Sequence, residues 1–134
     1  IKQESTNYDK DGNVIARSEI DESGDAWSAY MINDYETAFR KFRLVAEMDG
    51  ELAGVANEQL GVLYWKGKGV PQDNVYAHMW FNIAVLSGAK PSSKYSADLA
   101  KEYRDIVAKK MTPAQIEKAE KLASECIAKK YKGC

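Results

Sequence analysis

The side chains best suited to chemistry in this chain are its single histidine, His78, and its two cysteines, Cys126 and Cys134. A zinc site needs three or four histidine, cysteine or carboxylate ligands at short spacings, and none of these lies at ligand spacing near His78. A hydrolytic site needs a nucleophile, a base and groups that stabilise an oxyanion, and the sequence contains no nucleophile elbow and no Cys-His motif. We therefore expect no catalytic residues, no metal and no cofactor, and interpret His78 as a helix-surface or contact residue.

Two short patterns resemble ligand-binding loops. Asn7-x-Asp9-x-Asp11-Gly12 resembles the first half of an EF-hand calcium loop, but its twelfth position is Ser18 where the loop requires glutamate. Gly67-x-Gly69 lacks both the Gly-Lys-Ser/Thr ending and the preceding strand of a phosphate-binding loop. Both patterns are interpreted as turns.

The two cysteines are eight residues apart. In one continuous helix this spacing is about 12 Å along the axis, and the Cα atoms of a disulfide lie within roughly 7 Å. A bridge therefore requires the last helix to end near Lys130 so that the following residues fold back. Two alternatives remain open: a bridge between Cys126 and Cys134, or a buried thiol at Cys126 with a free Cys134.

The rest of the chain is organised around residues 60–73, where an apolar helical run ends and another begins. Gly67 and Gly69 supply backbone angles that other residues resist, and Pro71 cannot continue a helix. Asp73 is a good N-cap for the run that follows. These residues predict a structural turn between two helices.

Apolar residues at helical spacing predict five helices, the first of which begins at Asp34. The third of them is predicted to end at Gly88, and the fourth to begin at Pro91. Thr112, Pro113 and Gln115 form a strong helix start with a capping box. The predicted apolar faces are, in order, Ala38, Phe42, Val45 and Ala46; Ala53, Ala56, Leu60, Leu63 and Tyr64; Ala77, Trp80, Phe81, Ala84 and Val85; Tyr95, Leu99, Tyr103, Ile106 and Val107; and Ile116, Ala119, Leu122, Ala123, Cys126 and Ile127.

Residues 1–33 are predicted to form an N-terminal arm outside the helical domain of residues 34–134. Asp11 and Gly12 lie between two short extended runs and suggest a β-hairpin. Residues 21–25 are interpreted as a linker, followed by a single helical turn that includes Trp27 and Met31.

Composition excludes several classes of function. The chain has 134 residues and a formal net charge of −1, so it lacks the overall field expected of a nucleic-acid-binding protein. No apolar stretch approaches the roughly 20 residues of a membrane span. The charge is uneven: residues 1–36 carry a net −6 and residues 37–134 a net +5. The basic cluster of Arg40, Lys41 and Arg43 is expected to be a solvated helix face, with a site for an acidic partner as the alternative.

The chain also contains an internal repeat. Asp34 and Asp73 are 39 residues apart, as are Ala38 and Ala77, and Phe42 and Phe81. A period of this length with two helices per unit indicates an α/α solenoid. We predict an all-α fold of about two helix-pair repeats with a C-terminal capping helix, preceded by a short arm or hairpin.

One family resembles this pattern. Leu60-Gly61-x-x-Tyr64-x-x-Gly67-x-Gly69-Val70-Pro71-Gln72-Asp73, followed by Ala77-x-x-Trp80-Phe81-x-x-Ala84-x-x-x-Gly88, is similar to the Sel-one-like repeat, a relative of the tetratricopeptide repeat. The resemblance covers roughly residues 34–130 and excludes the arm. The link between the first two helices is about two residues longer than is usual in the family, and the fourth helix lacks a second turn of this type.

The resemblance implies a bacterial protein–protein interaction module, often located outside the cytoplasm. We therefore expect a periplasmic or secreted protein, with a cytoplasmic one as the alternative, that binds a protein or peptide in a groove without catalysis, nucleic-acid binding or membrane insertion. Two alternatives stay open: a hydrolase or binder acting on cell-wall or β-lactam-like ligands, and a self-assembling protein whose arm docks on another copy. The candidate groove residues are Arg40, Arg43, His78, Met79 and Asn82.

Overall fold

The structure is a computed structural model that describes residues 7–8, 10–12, 14–15, 17–87 and 93–134. The fold is all-α, as predicted. The helices are α1 (Glu19–Met31), α2 (Tyr35–Met48), α3 (Ala53–Lys66), α4 (Asn74–Leu86), α5 (Lys94–Ala108) and α6 (Pro113–Ala128). The predicted helix end at Gly88 and restart at Pro91 lie outside the described residues. In the described part of the chain, no helix combines the length and the apolar character needed to cross a bilayer.

Three predicted helix starts are confirmed by their hydrogen bonds. The Asp34 carboxylate accepts from the Thr37 N–H at 3.3 Å, and the Asp73 carboxylate accepts from the Tyr76 N–H at 3.0 Å. Thr112 and Gln115 form the expected capping box. Each cap satisfies a backbone donor that the first turn of a helix leaves without an intrahelical partner.

The predicted linker at residues 21–25 is wrong, because these residues lie inside α1. The helix begins with a capping box between Ser18 and Asp21 and runs for 13 residues where a single turn was expected. It packs on α2 through a face that buries Ala26 and Ala29. The carboxylate of Glu19 also accepts hydrogen bonds from the backbone N–H groups of Glu51 and Leu52, just before α3. The helical body therefore begins fifteen residues before the predicted boundary at Asp34.

The N-terminal segment contains two very short strands, β1 (Asn7–Tyr8) and β2 (Val14–Ile15). They pair antiparallel, with Asn7 opposite Ile15 and Tyr8 opposite Val14. A ladder of two residues per strand is too short to establish a stable hairpin. The N-terminal hairpin therefore stays a prediction.

The six helices pack in sequence order. Each of the first four packs on the next, and α3 also lies on α5 while α4 lies on α6. Residues 39 positions apart occupy equivalent places: Ala38 and Ala77 are fully buried, as are Phe42 and Phe81. This architecture is compatible with an α-helical repeat solenoid.

The predicted apolar face of α5 is only partly correct. Val107 is buried, but Tyr95 is 76% exposed and Ile106 is 45% exposed. The buried side of the helix is made mainly of small residues, among them Ala97 and Ala100. Small side chains let α5 approach α4 closely, and the bulky residues consequently face outward.

Cys126 and Cys134 form a disulfide, with their Cα atoms 5.6 Å apart. The bridge is possible because α6 ends at Ala128 and the chain reverses through left-handed backbone angles at Lys130, Tyr131 and Gly133. The Tyr131 N–H donates to the Cys126 carbonyl at 2.9 Å, which closes the reversal. Of the two alternatives for the cysteines, the fold-back with a bridge is the one observed.

Candidate functional site

The turn between α3 and α4 brings three helices together. Gly67 ends α3 in the left-handed conformation, and the Asp73 N–H donates to the Tyr64 carbonyl at 3.0 Å. Gly69, with φ of 77°, lies directly against the backbone of Tyr35 at the start of α2. The predicted turn residues Gly67, Gly69 and Asp73 therefore position the start of α4 against both α2 and α3, while Pro71 is exposed.

An aromatic cluster lies beside this turn. The ring of Phe39 meets the ring of Tyr64 edge-on, with centroids 5.4 Å apart. Tyr64 in turn stacks on Tyr76, with centroids 5.3 Å apart and an interplanar angle of 23°. Tyr76 is 37% exposed, so the cluster reaches solvent. With Arg43, these three residues form what we call the α2–α4 surface.

Arg43 lies one helical turn after Phe39 and supplies the positive charge of the α2–α4 surface. Its acidic partner is Glu47, at a long 3.8 Å, and its Nε is buried without a hydrogen-bond acceptor among the described residues. Burial raises the pKa of Tyr64, and the nearby positive charge of Arg43 opposes that rise. A partly exposed arginine beside aromatic rings is suited to bind a carboxylate, because its planar group can donate two parallel hydrogen bonds.

Lys41 does not belong to a solvated basic cluster, contrary to the prediction. Its side chain is 2% exposed, and its Nζ lies 2.9 Å from the carboxylate of Glu22 on α1. Glu22 also contacts Arg17 at 3.2 Å, and Arg17 contacts Asp25 at 2.9 Å. Lys41 is therefore part of a buried ion network that joins α1 to α2, whereas Arg40 on the same helix is exposed.

The structure divides the candidate groove residues between different places. Met79 is in the core, with 1% exposure, and His78 is 4% exposed. Asn82 is half-buried and accepts a hydrogen bond from Arg104 of α5 at 2.9 Å. Of the five candidates, Arg40 on α2 is exposed and Arg43 on the same helix is half-buried. The other three are on α4 and contact neighbouring helices. The periodicity of a single helix does not show which of its residues make such contacts.

His78 lies in an electrostatically mixed environment. Burial lowers its pKa most, and the positive charge of Arg104 lowers it further, while Glu120 and Asp105 act in the opposite direction. Its Nδ1 has no hydrogen-bond partner among the described residues. A buried imidazole with a lowered pKa is neutral near pH 7, which suits a packing residue.

We expect acidification to destabilise the protein through His78. The pKa of this group in the folded chain is below its ordinary value of 6.5. The unfolded state therefore binds more protons as the pH falls below that value, and folding stability falls with it. Chemical denaturation at about pH 7.5 and about pH 5.5 should show a larger loss for the wild type than for His78→Gln.

The wild type and His78→Gln share every other titrating group, so their difference isolates the histidine. Among the shared groups is Glu58, whose pKa is raised by burial against hydrogen bonds from Ser96 and Gln59. That shift acts with the opposite sign, because it stabilises the fold as the pH falls. Equal pH dependence in the two proteins would contradict the prediction.

Sequence reasoning identified Arg43 but missed the aromatic part of the α2–α4 surface. Tyr64 was placed in the core by its spacing, and Phe39 and Tyr76 fell outside the predicted apolar faces. The sequence offers one indication of this cluster: Tyr64 and Tyr76 lie on either side of the Gly67–Asp73 turn. A turn that reverses the chain brings its flanks together, but the stacking of their rings depends on three-dimensional packing.

Comparisons of the chain with protein-family models, curated proteins and solved structures found no match. Among the described residues, no three histidine, cysteine or acidic side chains are grouped to hold a metal ion.

Proposed function

We propose that this chain is a non-catalytic protein-binding module of the Sel-one-like repeat type. Support comes from the stacked helices, the 39-residue correspondence between α2 and α4, and the Gly67–Asp73 turn that joins them. Repeat proteins of stacked helices use extended surfaces for partners, and the α2–α4 surface is a site of this kind.

The observation that carries the proposal is the combination of Arg43 with the partly exposed rings of Tyr64 and Tyr76. Tyrosine and arginine dominate the energetically important residues of protein interfaces, since both offer apolar contact area and hydrogen bonds. The guanidinium of Arg43, whose side chain is 28% exposed, suits a carboxylate, and the neighbouring rings suit an apolar or aromatic side chain. The proposed ligand is a peptide segment with an acidic residue beside an apolar one.

The disulfide bears on where this function operates. Disulfides persist in oxidising compartments and are rare in the cytosol of most organisms. The Cys126–Cys134 bridge supports a periplasmic or secreted location for the module.

The proposal predicts that a random peptide library displayed on phage, selected against the immobilised protein, will be enriched in segments that combine acidic and apolar residues. Synthetic versions of the enriched peptides should bind Arg43→Gln and Tyr76→Ala at least about tenfold more weakly than the wild type, equal to about 1.4 kcal/mol each. Isothermal titration calorimetry measures this loss directly.

A matched control is Lys109→Gln, which removes an exposed charge from the far end of the chain. It should bind the peptides as tightly as the wild type. If no peptides are enriched, or if they bind Arg43→Gln and Tyr76→Ala as well as the wild type, the proposed site is wrong.

A further inference from the structure

Helix α6 departs from the packing order of the other helices. Each of the first four helices packs on the next, whereas α6 turns away from α5 after residues 109–112 and packs on α4 instead. The turn is tight, because the Met111 N–H donates to the Ala108 carbonyl at 3.0 Å and the capping box of Thr112 starts α6 directly afterwards. The position of α6 is therefore determined by its contact with α4.

The side of α4 that α6 covers is turned away from α5. Phe81 belongs to the buried cluster that α5 completes. Met79 lies two residues earlier, about 200° around the helix, so it points to the opposite side. Met79 is nevertheless only 1% exposed, and it shares a buried cluster with Ala123 and Cys126 of α6. Helix α6 thus covers an α4 face that includes a residue predicted to line the binding groove.

The face of α6 that lies on α4 is a stripe of small side chains. Ala119, Ala123 and Cys126 are buried and occupy positions i, i+4 and i+7 of one helix face. The larger apolar residues Leu122 and Ile127 are half-buried, and the charged residues of the helix are exposed. This is the pattern of an amphipathic helix that lies in a groove.

Polar side chains do not attach α6 to the other helices. Lys41 joins α2 to α1, Asn57 joins α3 to the end of α4, and Arg104 joins α5 to α4. In the described part of the chain, no side-chain hydrogen bond or ion pair joins α6 to another helix. Small side chains also bury little apolar area each. Helix α6 is therefore held by apolar contact alone and is the least strongly attached of the described helices.

The disulfide does not attach α6 to α4 either. Cys126 is in the helix and Cys134 is in the residues that follow it, so the bridge closes this segment on itself. Tyr131 and Cys134 pack beside the same buried cluster as α6. Residues 112–134 therefore form one closed unit that can separate from α4 with its bridge intact.

We propose that the α4 face under α6 is a binding groove for an amphipathic helix of a partner protein, and that α6 occupies this groove in the free chain. The partner helix has small residues at the spacing of Ala119, Ala123 and Cys126, because small side chains let a helix approach Met79 as closely as α6 does. Since α6 must leave before the partner binds, the apparent affinity is reduced by the fraction of molecules that are open. The inference goes beyond the proposed function, because it concerns a second groove and another class of partner.

The variant Ala123→Glu tests whether α6 can leave an otherwise folded chain. A carboxylate at this fully buried position is incompatible with α6 on α4. The variant should lose the circular dichroism of about one helix and keep a cooperative melting transition for the rest. Ser124→Glu introduces the same group at the exposed neighbouring position and should keep the wild-type spectrum. Complete loss of the helical signal in Ala123→Glu would show that α6 is integral to the core, and the proposal would be wrong.

Hydrogen exchange tests the same point in the wild type. The amides of α6 should exchange at least about tenfold faster than those of α4, because local opening requires less free energy than global unfolding. If α6 and α4 exchange at the same rate, α6 leaves only when the whole chain unfolds, which contradicts the proposal.

The decisive probe is a fluorescent synthetic peptide of residues 112–134 with the Cys126–Cys134 bridge closed, because α6 is a helix whose fit to the groove is shown. Fluorescence anisotropy should give at least about tenfold tighter binding to Ala123→Glu than to the wild type or Ser124→Glu, since the groove of the first variant is open. A control peptide that carries Ala123→Glu should not bind. Equal binding of the probe to all three proteins, or no binding to Ala123→Glu, would overturn the proposal.

Light scattering identifies the alternative occupant, which is α6 of a second copy. The wild type should be monomeric. A wild-type dimer that Ala123→Glu dissociates would mean that two copies exchange α6, and this result would exclude a partner protein as the occupant. Arg43→Gln should bind the peptide of residues 112–134 as the wild type does, so this proposal and that of the α2–α4 surface can fail separately.

Discussion

Replacing Lys41 with methionine is expected to lower the free energy of unfolding by about 3 kcal/mol. The substitution keeps an apolar chain of similar length at a site that is 2% exposed, but it removes the charge 2.9 Å from the Glu22 carboxylate. Glu22 would then remain buried without its closest cation, and an unpaired buried charge is strongly destabilising. Arg17 still contacts Glu22 at 3.2 Å, which holds the loss near the lower end of the range for broken buried pairs.

The matched control is Lys94→Met. Lys94 pairs with Asp98 at 3.2 Å, but both side chains are largely exposed, at 74% and 69%. Exposed pairs of this type contribute up to about 1 kcal/mol. Urea denaturation of both variants compares the two pairs under the same conditions. A loss for Lys41→Met no larger than that for Lys94→Met would show that the α1–α2 network is not a major source of stability.

A double variant tests whether the loss comes from the unpaired carboxylate. Lys41→Met combined with Glu22→Leu removes both partners, so neither is left buried and charged. We expect the double variant to be more stable than Lys41→Met alone, since replacing a buried ion pair with apolar residues is often nearly neutral. If the double variant is as unstable as Lys41→Met, or less stable, Lys41 stabilises the fold through packing and not through its charge.

Replacing Gly69 with valine is expected to destabilise the protein by about 3 kcal/mol or more. Gly69 has φ of 77°, a conformation that costs other residues roughly 1–2 kcal/mol and β-branched ones more. A Cβ at this position would also lie 2.5 Å from the Tyr35 carbonyl oxygen and 2.9 Å from the Glu36 nitrogen. Because these are backbone atoms, the start of α2 or the turn itself would have to move.

Gly67→Ala and Gly69→Ala form a matched pair within the same turn. Gly67 has a similar φ of 65°, but its nearest neighbour is the Cβ of Gln72 at 3.0 Å, a side-chain atom within the turn. Thermal and urea denaturation should therefore show a larger loss for Gly69→Ala. Equal losses would mean that backbone conformation alone, and not the contact with α2, makes glycine necessary at Gly69.

Local signals in the sequence predicted much of the helical architecture. The caps at Asp34, Asp73 and Thr112 and the glycine end at Gly67 act within one helical turn, so short stretches of sequence are enough to identify them. The correspondence between α2 and α4 could be detected in the sequence because residues at equivalent positions, such as Phe42 and Phe81, are of the same type. These features depend on interactions between residues close in the chain.

The rest of the fold depends on distant partners. The α1 helix was missed because its interior contains Gly24 and the acidic residues Glu22 and Asp25, which resemble a linker. Glu22 is tolerated in the helix because Lys41 pairs with it from α2. His78 and Met79 were expected to face a groove, but both are buried. The expectation was wrong because neighbouring helices cover these side chains. No local pattern shows such pairings, which form only when the helices pack.

The sequential packing of the helices also has a consequence for how the chain folds. Most interhelical contacts join elements adjacent in sequence, so few long loops must close before native contacts form. Proteins with such local contacts have low contact order and fold in microseconds to milliseconds. The contacts of longer range are those of α5 with α3 and of α6 with α4, each of which skips one helix, and the Cys126–Cys134 bridge holds the residues after α6 beside that helix. Helices α5 and α6 are therefore the elements whose contacts span the longest stretches of chain.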